Sequence, residues 1–201
     1  MSVRFRLAPL LLVGTLAASP APAQDDYVVD LSQLDPNAIL ASAGDVLMRA
    51  PDAAIDELFQ ATHAAARSPR DAKLLCALFD PRADRSFEAL ADAANRLGAD
   101  SRERFGLALA GIAAAGLQGT PQPYDAAAAK QTLKSAGVTA MLLHEDFLVG
   151  MAADGSDAAS RDARCRSFGW MLDALADVPM TQRAAATRLM LSEGLGQLGP
   201  R

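Results

Sequence analysis

Apolar residues recur at intervals of three and four along most of this chain, which is the spacing of a helix with one buried face. A typical series is Ile55, Leu58, Phe59 and Thr62. Several prolines stand at positions suited to a first helical turn, where the missing N–H costs nothing. The pattern predicts eight helices, near residues 36–48, 51–67, 69–79, 86–97, 101–117, 125–151, 157–178 and 179–195.

The connections between these segments are short and rich in turn-forming residues, which favours one compact multi-helix bundle over domains joined by linkers. The sixth segment is long and carries Gly137 near its middle, so it is open to division into two helices. Residues 24–31 show neither helical spacing nor caps and are expected to form a short extended arm. The predicted fold is therefore all-α, with a single helical domain over residues 24–201.

Residues 105–117 are apolar on every side, yet they are too few to span a bilayer, which needs roughly 20 apolar residues. We expect this segment to form a central helix surrounded by the others. Gly106, Gly111 and Gly116 each cost about 1 kcal/mol of helix propensity relative to alanine, and close approach of neighbouring helices would offset that cost. The alternative is a helix that inserts into a membrane.

The amino terminus has the three parts of a cleavable secretory signal peptide. Arg4 and Arg6 precede a short apolar stretch at residues 7–18, and Ala21 and Ala23 form the small-residue pattern of a signal-peptidase site. We predict cleavage after Ala23, export by a Sec-type route, and a periplasmic or secreted mature protein. The alternative is an uncleaved anchor helix.

Removal of the signal peptide at residues 1–23 makes the chain more acidic. It takes away two arginines, so 19 basic and 24 acidic residues become 17 and 24, a net charge of −7. Nucleic acids and anionic membranes bind most tightly to clustered lysine and arginine side chains, so neither is expected as the main partner of this acidic protein. The composition favours another envelope or secreted protein as the partner, with no stable membrane insertion after cleavage.

Two cysteines, Cys76 and Cys165, each lie within an apolar series with helical spacing. Each thiol should therefore point inward from its own helix, and export would place the pair in an oxidising compartment. We predict a disulfide between them, which closes a loop of roughly 90 residues and contributes about 4 to 5 kcal/mol by the chain-entropy estimate. The alternative is two separate buried thiols.

Histidine chemistry is restricted to two residues, His63 and His144. His144 begins an HExxH-like sequence, but Leu148 stands where the second zinc ligand would be, so no metal site is predicted. The helical spacing of its neighbours places His144 on an apolar face as a core histidine. The catalytic alternative is a general base that lines a pocket, with Glu145 as the adjacent carboxylate. His63 lies at the margin of an apolar stripe and is expected to be half exposed.

A basic run on the seventh predicted helix is the other candidate site. Asp157 precedes Arg161 by four residues, and the next acid and base have the same favourable spacing, which predicts ion pairs on a solvated face. If the run instead binds a partner, an indole one turn later is the expected anchor. The candidate binding residues are Arg161, Arg164, Arg166 and Trp170.

The sequence contains no nucleophile elbow, no phosphate-binding glycine loop and no Ca²⁺-loop pattern. We therefore expect no cofactor, and we favour a non-enzymatic, exported helical protein that binds another envelope macromolecule. An inhibitor, an immunity-type factor or an accessory subunit would fit this description. Two alternatives stay open: a small envelope hydrolase that uses His144 with a helix-borne carboxylate, and a helical carrier for an apolar ligand.

Overall fold

Helices account for all the regular secondary structure between residues 36 and 196, the part of the chain that the computed structural model describes. In order they are α1 (Pro36–Arg49), α2 (Asp52–Ala66), α3 (Pro69–Ala77), α4 (Phe87–Arg96), α5 (Ala99–Gln118), α6 (Ala126–Leu143), α7 (Phe147–Ala152), α8 (Ala158–Ala176) and α9 (Met180–Leu195). No β-strand occurs among these residues, so the all-α prediction is confirmed for them. The predicted signal peptide and extended arm lie outside the described residues and stay predictions.

Short polar side chains mark the starts of four helices. An oxygen of each side chain accepts a hydrogen bond from a backbone N–H of the first turn, which would otherwise lack a partner. These residues are Ser68 for α3, Ser86 for α4, Asp125 for α6 and Asp157 for α8. At Asp157, hydrogen bonds from the hydroxyl and the N–H of Ser160 lower the pKa of the carboxyl from 3.8 to about 2.

The start of α5 is capped from another helix, by the carboxylate of Asp71. The Gly98 N–H donates to Asp71 Oδ1 over 3.0 Å, and the Ser101 hydroxyl donates to Oδ2 over 2.7 Å. Asp71 and Ser101 are both buried. The hydrogen bond from Ser101, followed by that from Gly98, holds the pKa of Asp71 below its ordinary value of 3.8.

The sixth predicted helix is two helices, and the break lies at residues 144–146, not at Gly137. His144 ends α6 with an extended backbone, φ −138° and ψ 105°. The chain then turns so that α7 lies directly against α8, and Gly150 is the point of contact. A Cβ atom at Gly150 would overlap the Ala163 carbonyl and the Ser167 hydroxyl. The division into two helices is therefore confirmed, but its expected position at Gly137 was wrong, because the break accompanies the packing of α7 on the next helix, α8.

Two hydrophobic clusters flank the pair α2 and α9. One cluster contains Phe59, Phe147 and Leu172, together with residues of α6 and α9. The other contains Ile55 and Ile112, together with residues of α1 and α9. Because α2 and α9 contribute to both clusters, they form the centre of the bundle, with α6, α7 and α8 on one side and α1 and α5 on the other.

The helix predicted to be central, α5, lies at the edge of the bundle and packs on α1 and α2. Leu107, Leu109 and Leu117 on its outer face are each more than half exposed. Of its three glycines, only Gly116 meets a neighbour, since an added Cβ would lie 2.7 Å from Val46 Cγ1. The prediction was wrong because alanine and glycine make a segment apolar on every side without requiring burial on every side.

A disulfide joins Cys76 of α3 to Cys165 of α8, with the two Cα atoms 5.1 Å apart. The predicted pairing is therefore confirmed. The bond ties together two helices that are separated by 89 residues in sequence. None of the helices described between residues 36 and 196 has the length and hydropathy of a membrane span.

Arg188 of α9 is buried, with 1% of the residue exposed. Its Nη2 donates to the Ala50 carbonyl and to Asp52 Oδ1, each over 2.9 Å, and its Nη1 donates to the Leu47 carbonyl. Carbonyls at the end of a helix lack partners within that helix. Arg188 therefore supplies donors to the end of α1 and holds the α1–α2 connection against α9.

Candidate functional site

Exposed apolar side chains are concentrated at the end of α6 and on α7. Seven of the twelve large apolar side chains that are exposed in the described part of the chain fall within residues 138–151. We call them the α6–α7 surface: Val138, Met141, Leu142, Leu143, Leu148, Val149 and Met151. Single exposed apolar residues are ordinary, whereas a concentration of them marks an interaction site.

The α7 backbone beneath this surface is held firmly. The Phe147 side chain is buried in the core cluster shared with α8, and the Ser167 hydroxyl donates to the Phe147 carbonyl over 2.8 Å. The close contact of Gly150 with α8 fixes the middle of the helix. The outer face of α7 is therefore presented by a rigid element, which is how preorganised recognition sites are built.

Arg164, one of the predicted binding residues, anchors the connection that follows α7. Its Nη1 donates to the Ala153 carbonyl over 2.9 Å and to the Gly155 carbonyl over 2.7 Å. Its side chain is mostly buried, and Nη2 lies 3.6 Å from Asp80 Oδ2. In this position Arg164 does not face a partner directly, but it fixes the end of the helix that carries the exposed apolar residues.

Asp80 is the buried acid at the centre of that anchorage. Its Oδ1 accepts from the Arg82 N–H over 2.9 Å and from the Ser156 hydroxyl over 2.7 Å. These hydrogen bonds, the backbone one first, hold the pKa of Asp80 below its ordinary value of 3.8, and the guanidinium groups of Arg164 and Arg161 add to the effect. The connection after α3 is thereby tied to the connection before α8.

His144, the catalytic candidate, and Trp170, the binding candidate, lie together beside the α6–α7 surface. Their rings are stacked, with centroids 4.4 Å apart and planes 7° from parallel. Both residues are half-buried, and the indole also packs against the core cluster. His144 therefore covers Trp170 at the corner between α6 and α7, and it does not sit within the helical stripe that the sequence indicated.

Glu145 lies in the exposed turn between α6 and α7, next to Asp146. Among the described residues, no carboxylate forms a hydrogen bond with the His144 ring, so the two catalytic candidates are adjacent in sequence without being paired in space. What the turn does provide is two exposed negative charges between the apolar residues of α6 and those of α7.

The remaining basic candidates, Arg161 and Arg166, have different surroundings. Arg161 donates to the Ser156 carbonyl and lies 3.9 Å from Asp80, so it does not form the predicted pair with Asp157, which caps α8 instead. Arg166 is exposed on α8. Of the three arginines in the predicted basic run, Arg161 and Arg164 therefore bind loop carbonyls, and Arg166 is exposed to solvent.

A histidine–carboxylate pair exists elsewhere, at His63 on α2. His63 Nε2 lies 2.8 Å from Asp173 Oδ1, and the imidazole stacks on Phe59 with centroids 5.8 Å apart. The guanidinium group of Arg183, which pairs with Asp56 at 2.6 Å, lies over the Phe59 ring, 5.2 Å from its centroid. Sequence reasoning missed the pair because 110 residues separate its members.

The described residues contain no group of three or more histidine, cysteine or carboxylate side chains placed to hold a metal ion. Comparison of the chain with protein-family models, curated protein sequences and solved structures found no match. The geometry of the α6–α7 surface is therefore the main evidence on function.

Proposed function

We propose that this protein is exported and acts by binding another envelope or secreted protein through the α6–α7 surface. The observation that carries the proposal is the concentration of exposed apolar side chains at the end of α6 and on α7, the second of which is held against α8 through Phe147 and Gly150. Leu142 and Leu143 are the most exposed of these side chains, at 77% and 69%. A partner that covers them gains roughly 25 cal/mol for each Å² of apolar area removed from water.

The charges around this surface favour a protein partner over a lipid bilayer. Glu145 and Asp146 are exposed between the two groups of apolar residues. Anionic headgroups would be repelled at that turn, whereas a protein with an apolar centre and a basic rim would be complementary to it. The stacked rings of His144 and Trp170, both half-buried, add aromatic groups beside the surface, and aromatic residues are enriched among those that dominate binding energy at protein interfaces.

Export is supported by the disulfide between Cys76 and Cys165 and by the signal-like residues 1–23. Disulfides form and persist in oxidising compartments and are rare in the reducing cytosol. The partner is accordingly sought in the envelope or in the secreted fraction.

The test is affinity capture from an envelope extract with three forms of the mature protein: wild type, Leu142→Lys with Leu143→Lys, and Leu107→Lys with Leu117→Lys. The two double variants change the same residue type at similar exposure, on α6 and on α5 respectively. We expect one protein to be captured by the wild type and by the α5 variant at equal yield, and to be lost from the α6 variant.

Direct binding with the purified partner completes the test. Replacement of two apolar anchor residues by charges should weaken binding by about 100-fold or more, which corresponds to about 2.7 kcal/mol. Equal capture by the α6 and α5 variants would show that the partner, if any, binds elsewhere, and the proposal would then be wrong.

A further inference from the structure

An apolar groove lies between α3, α4 and α5, distinct from the α6–α7 surface. Its volume is about 370 Å³, within the range of about 300 to 1,000 Å³ that is typical of small-molecule sites. Its walls are mainly aliphatic and include Leu74, Leu75, Leu78, Leu90, Leu97 and Leu109. Such a lining suits a flexible hydrocarbon chain, which is bound by burial and needs no polar partner inside the groove.

The groove opens beside four basic side chains. Arg102 lines the groove itself, whereas Arg70, Lys73 and Arg96 line an adjoining shelf that shares two wall residues with it. Among the described residues, neither lining contains an acidic side chain. In a chain with a net charge of −5, this local concentration of positive charge points to an anionic ligand.

Two of the arginines are held in place at the end of α4. Arg70 Nη2 donates to the Arg96 carbonyl over 2.8 Å, and Arg102 Nη1 donates to the Asn95 carbonyl over 3.2 Å. The Asp71 carboxylate lies 4.0 Å from Arg70 Nε, but it is buried and already accepts two hydrogen bonds. Arg70 also lies beside Asp71 and Asp100, whereas no ion pair within 4.0 Å involves Arg102, Lys73 or Arg96 among the described residues, so these three supply most of the free positive charge at the mouth of the groove.

We propose that this groove binds a fatty-acid anion, with the acyl chain among the leucines and the carboxylate against Arg102. A guanidinium group matches the two oxygens of a carboxylate better than an ammonium group does. An uncharged lipid would use the leucines alone, and an anionic bilayer would use the basic side chains while leaving the groove empty. The combination of both features at one mouth is what selects a free anionic amphiphile.

Gly106 offers a direct way to close the groove. It lines the groove on α5, and a Cβ atom added there would meet nothing within 4 Å, so a side chain can leave the backbone at this position without a clash. The matched control is Gly111 on the same helix, which is equally open but faces a different depression. Because both positions are helical, leucine at either one should favour folding.

The experiment is calorimetric titration of the disulfide-bonded mature protein with dodecanoate and with dodecyltrimethylammonium, which has a similar chain and the opposite charge. We expect saturable binding of one dodecanoate, at least tenfold tighter than the cationic probe. Gly106→Leu should weaken dodecanoate binding at least about tenfold, since displacing two methylene groups from the groove is enough for that change. Gly111→Leu should bind as the wild type does.

The charge is tested separately with Arg102→Glu, which should weaken dodecanoate binding about tenfold and leave the cationic probe unchanged or improved. Ala94→Phe, at an exposed position that also lines the groove, is the second blocking variant, and circular dichroism verifies the helix content of each variant. Equal affinity for the two probes, or undiminished dodecanoate binding in both blocking variants, would overturn the inference. Adsorption to phosphatidylglycerol vesicles that survives both blocking variants, without dodecanoate binding, would overturn it as well.

Discussion

Folded proteins usually have polar groups outside and apolar groups inside, and two features of this protein are exceptions. Arg188 is a charged residue in the interior, and the α6–α7 surface consists of apolar residues in solvent. Arg188 is charged and is the largest fully buried side chain of the described residues, whereas Leu142 is apolar and 77% exposed. Arg188 finds acceptors on α1 and at the start of α2. The leucine has no equivalent cover within the described chain, and this difference separates a structural exception from one that points to a partner.

The energetic consequences of the two exceptions are also opposite. A buried guanidinium is tolerated only when it is paired and hydrogen-bonded, and removing its partners or the group itself is costly. An exposed leucine destabilises the folded protein little, because the same side chain is also exposed in the unfolded chain. When a partner covers it, its burial contributes roughly 1.5 to 3 kcal/mol to the free energy of association. Substitutions at the first site should therefore change stability, and substitutions at the second should change binding.

The largest expected loss of stability is at Arg188. Arg188→Ala leaves two buried carbonyls without a donor and leaves a cavity, so we expect the free energy of unfolding to fall by about 3 to 5 kcal/mol. Urea unfolding followed by circular dichroism measures it. Arg166→Ala removes the same charge from an exposed site on α8 and should stay within about 0.5 kcal/mol of wild type. A loss below about 1 kcal/mol for Arg188→Ala would contradict the structural role.

Asp71 extends the comparison to a buried acid and has a smaller expected effect. Asp71→Ala removes the acceptor of the Gly98 N–H and the Ser101 hydroxyl, so we expect a loss of about 2 to 3 kcal/mol at neutral pH. The pKa of this carboxyl is lowered in the folded state. Its contribution is therefore complete above the unfolded value of 3.8 and is lost as the pH falls through the lowered folded value.

Asp71→Asn tests that pH dependence, because the amide keeps the size of the side chain without titrating. The difference in unfolding free energy between wild type and Asp71→Asn should shrink as the pH is lowered from 5 toward the folded pKa. A difference that stays constant over this interval would show that the ionised carboxylate is not what caps α5.

The helices themselves could be predicted because their signals are local. Residues such as Ser68, Ser86 and Asp157 cap the helices that follow them, and the apolar spacing between the caps gives the buried face. The disulfide was also predictable, since two cysteines with inward-facing positions allow one intramolecular pairing. In each case the evidence lies within a few residues of the feature that it predicts.

The candidate site could not be predicted in the same way, because each part of it depends on contacts between different elements. His144 was expected within a helix, but α6 ends there, and the following helix α7 packs on α8 through Gly150. The sequence predicted that Arg164 is a surface charge. In the structure its guanidinium group donates to two carbonyls of the loop between α7 and α8, and neither of them belongs to its own helix. An apolar pattern in sequence also does not distinguish a buried face from one that is left exposed for a partner.

Gly150 links the two sides of the comparison, since it is a packing contact that positions the exposed residues. Gly150→Ala forces a Cβ atom into the Ala163 carbonyl, and we expect a loss of about 1 to 3 kcal/mol together with weaker partner binding as α7 is displaced. At Gly111, where an added Cβ atom would meet no neighbouring element within 4 Å, alanine should instead stabilise the protein by about 0.5 to 1 kcal/mol. Urea unfolding of both variants measures the contrast, and equal effects would show that α7 does not rest on α8 at this point.

The smallest effect on stability is expected where the apolar exposure is greatest. Leu142→Lys and Leu143→Lys replace exposed side chains in the last turn of α6, where a cation interacts favourably with the helix dipole. Each substitution should change the free energy of unfolding by less than about 0.5 kcal/mol, as measured by urea unfolding without any partner. A loss of more than about 2 kcal/mol would show that these leucines are covered by the protein's own chain. In that case these leucines, like Arg188, would be part of the folded core. A loss of binding in the same variant could then result from unfolding and would not be evidence of a partner.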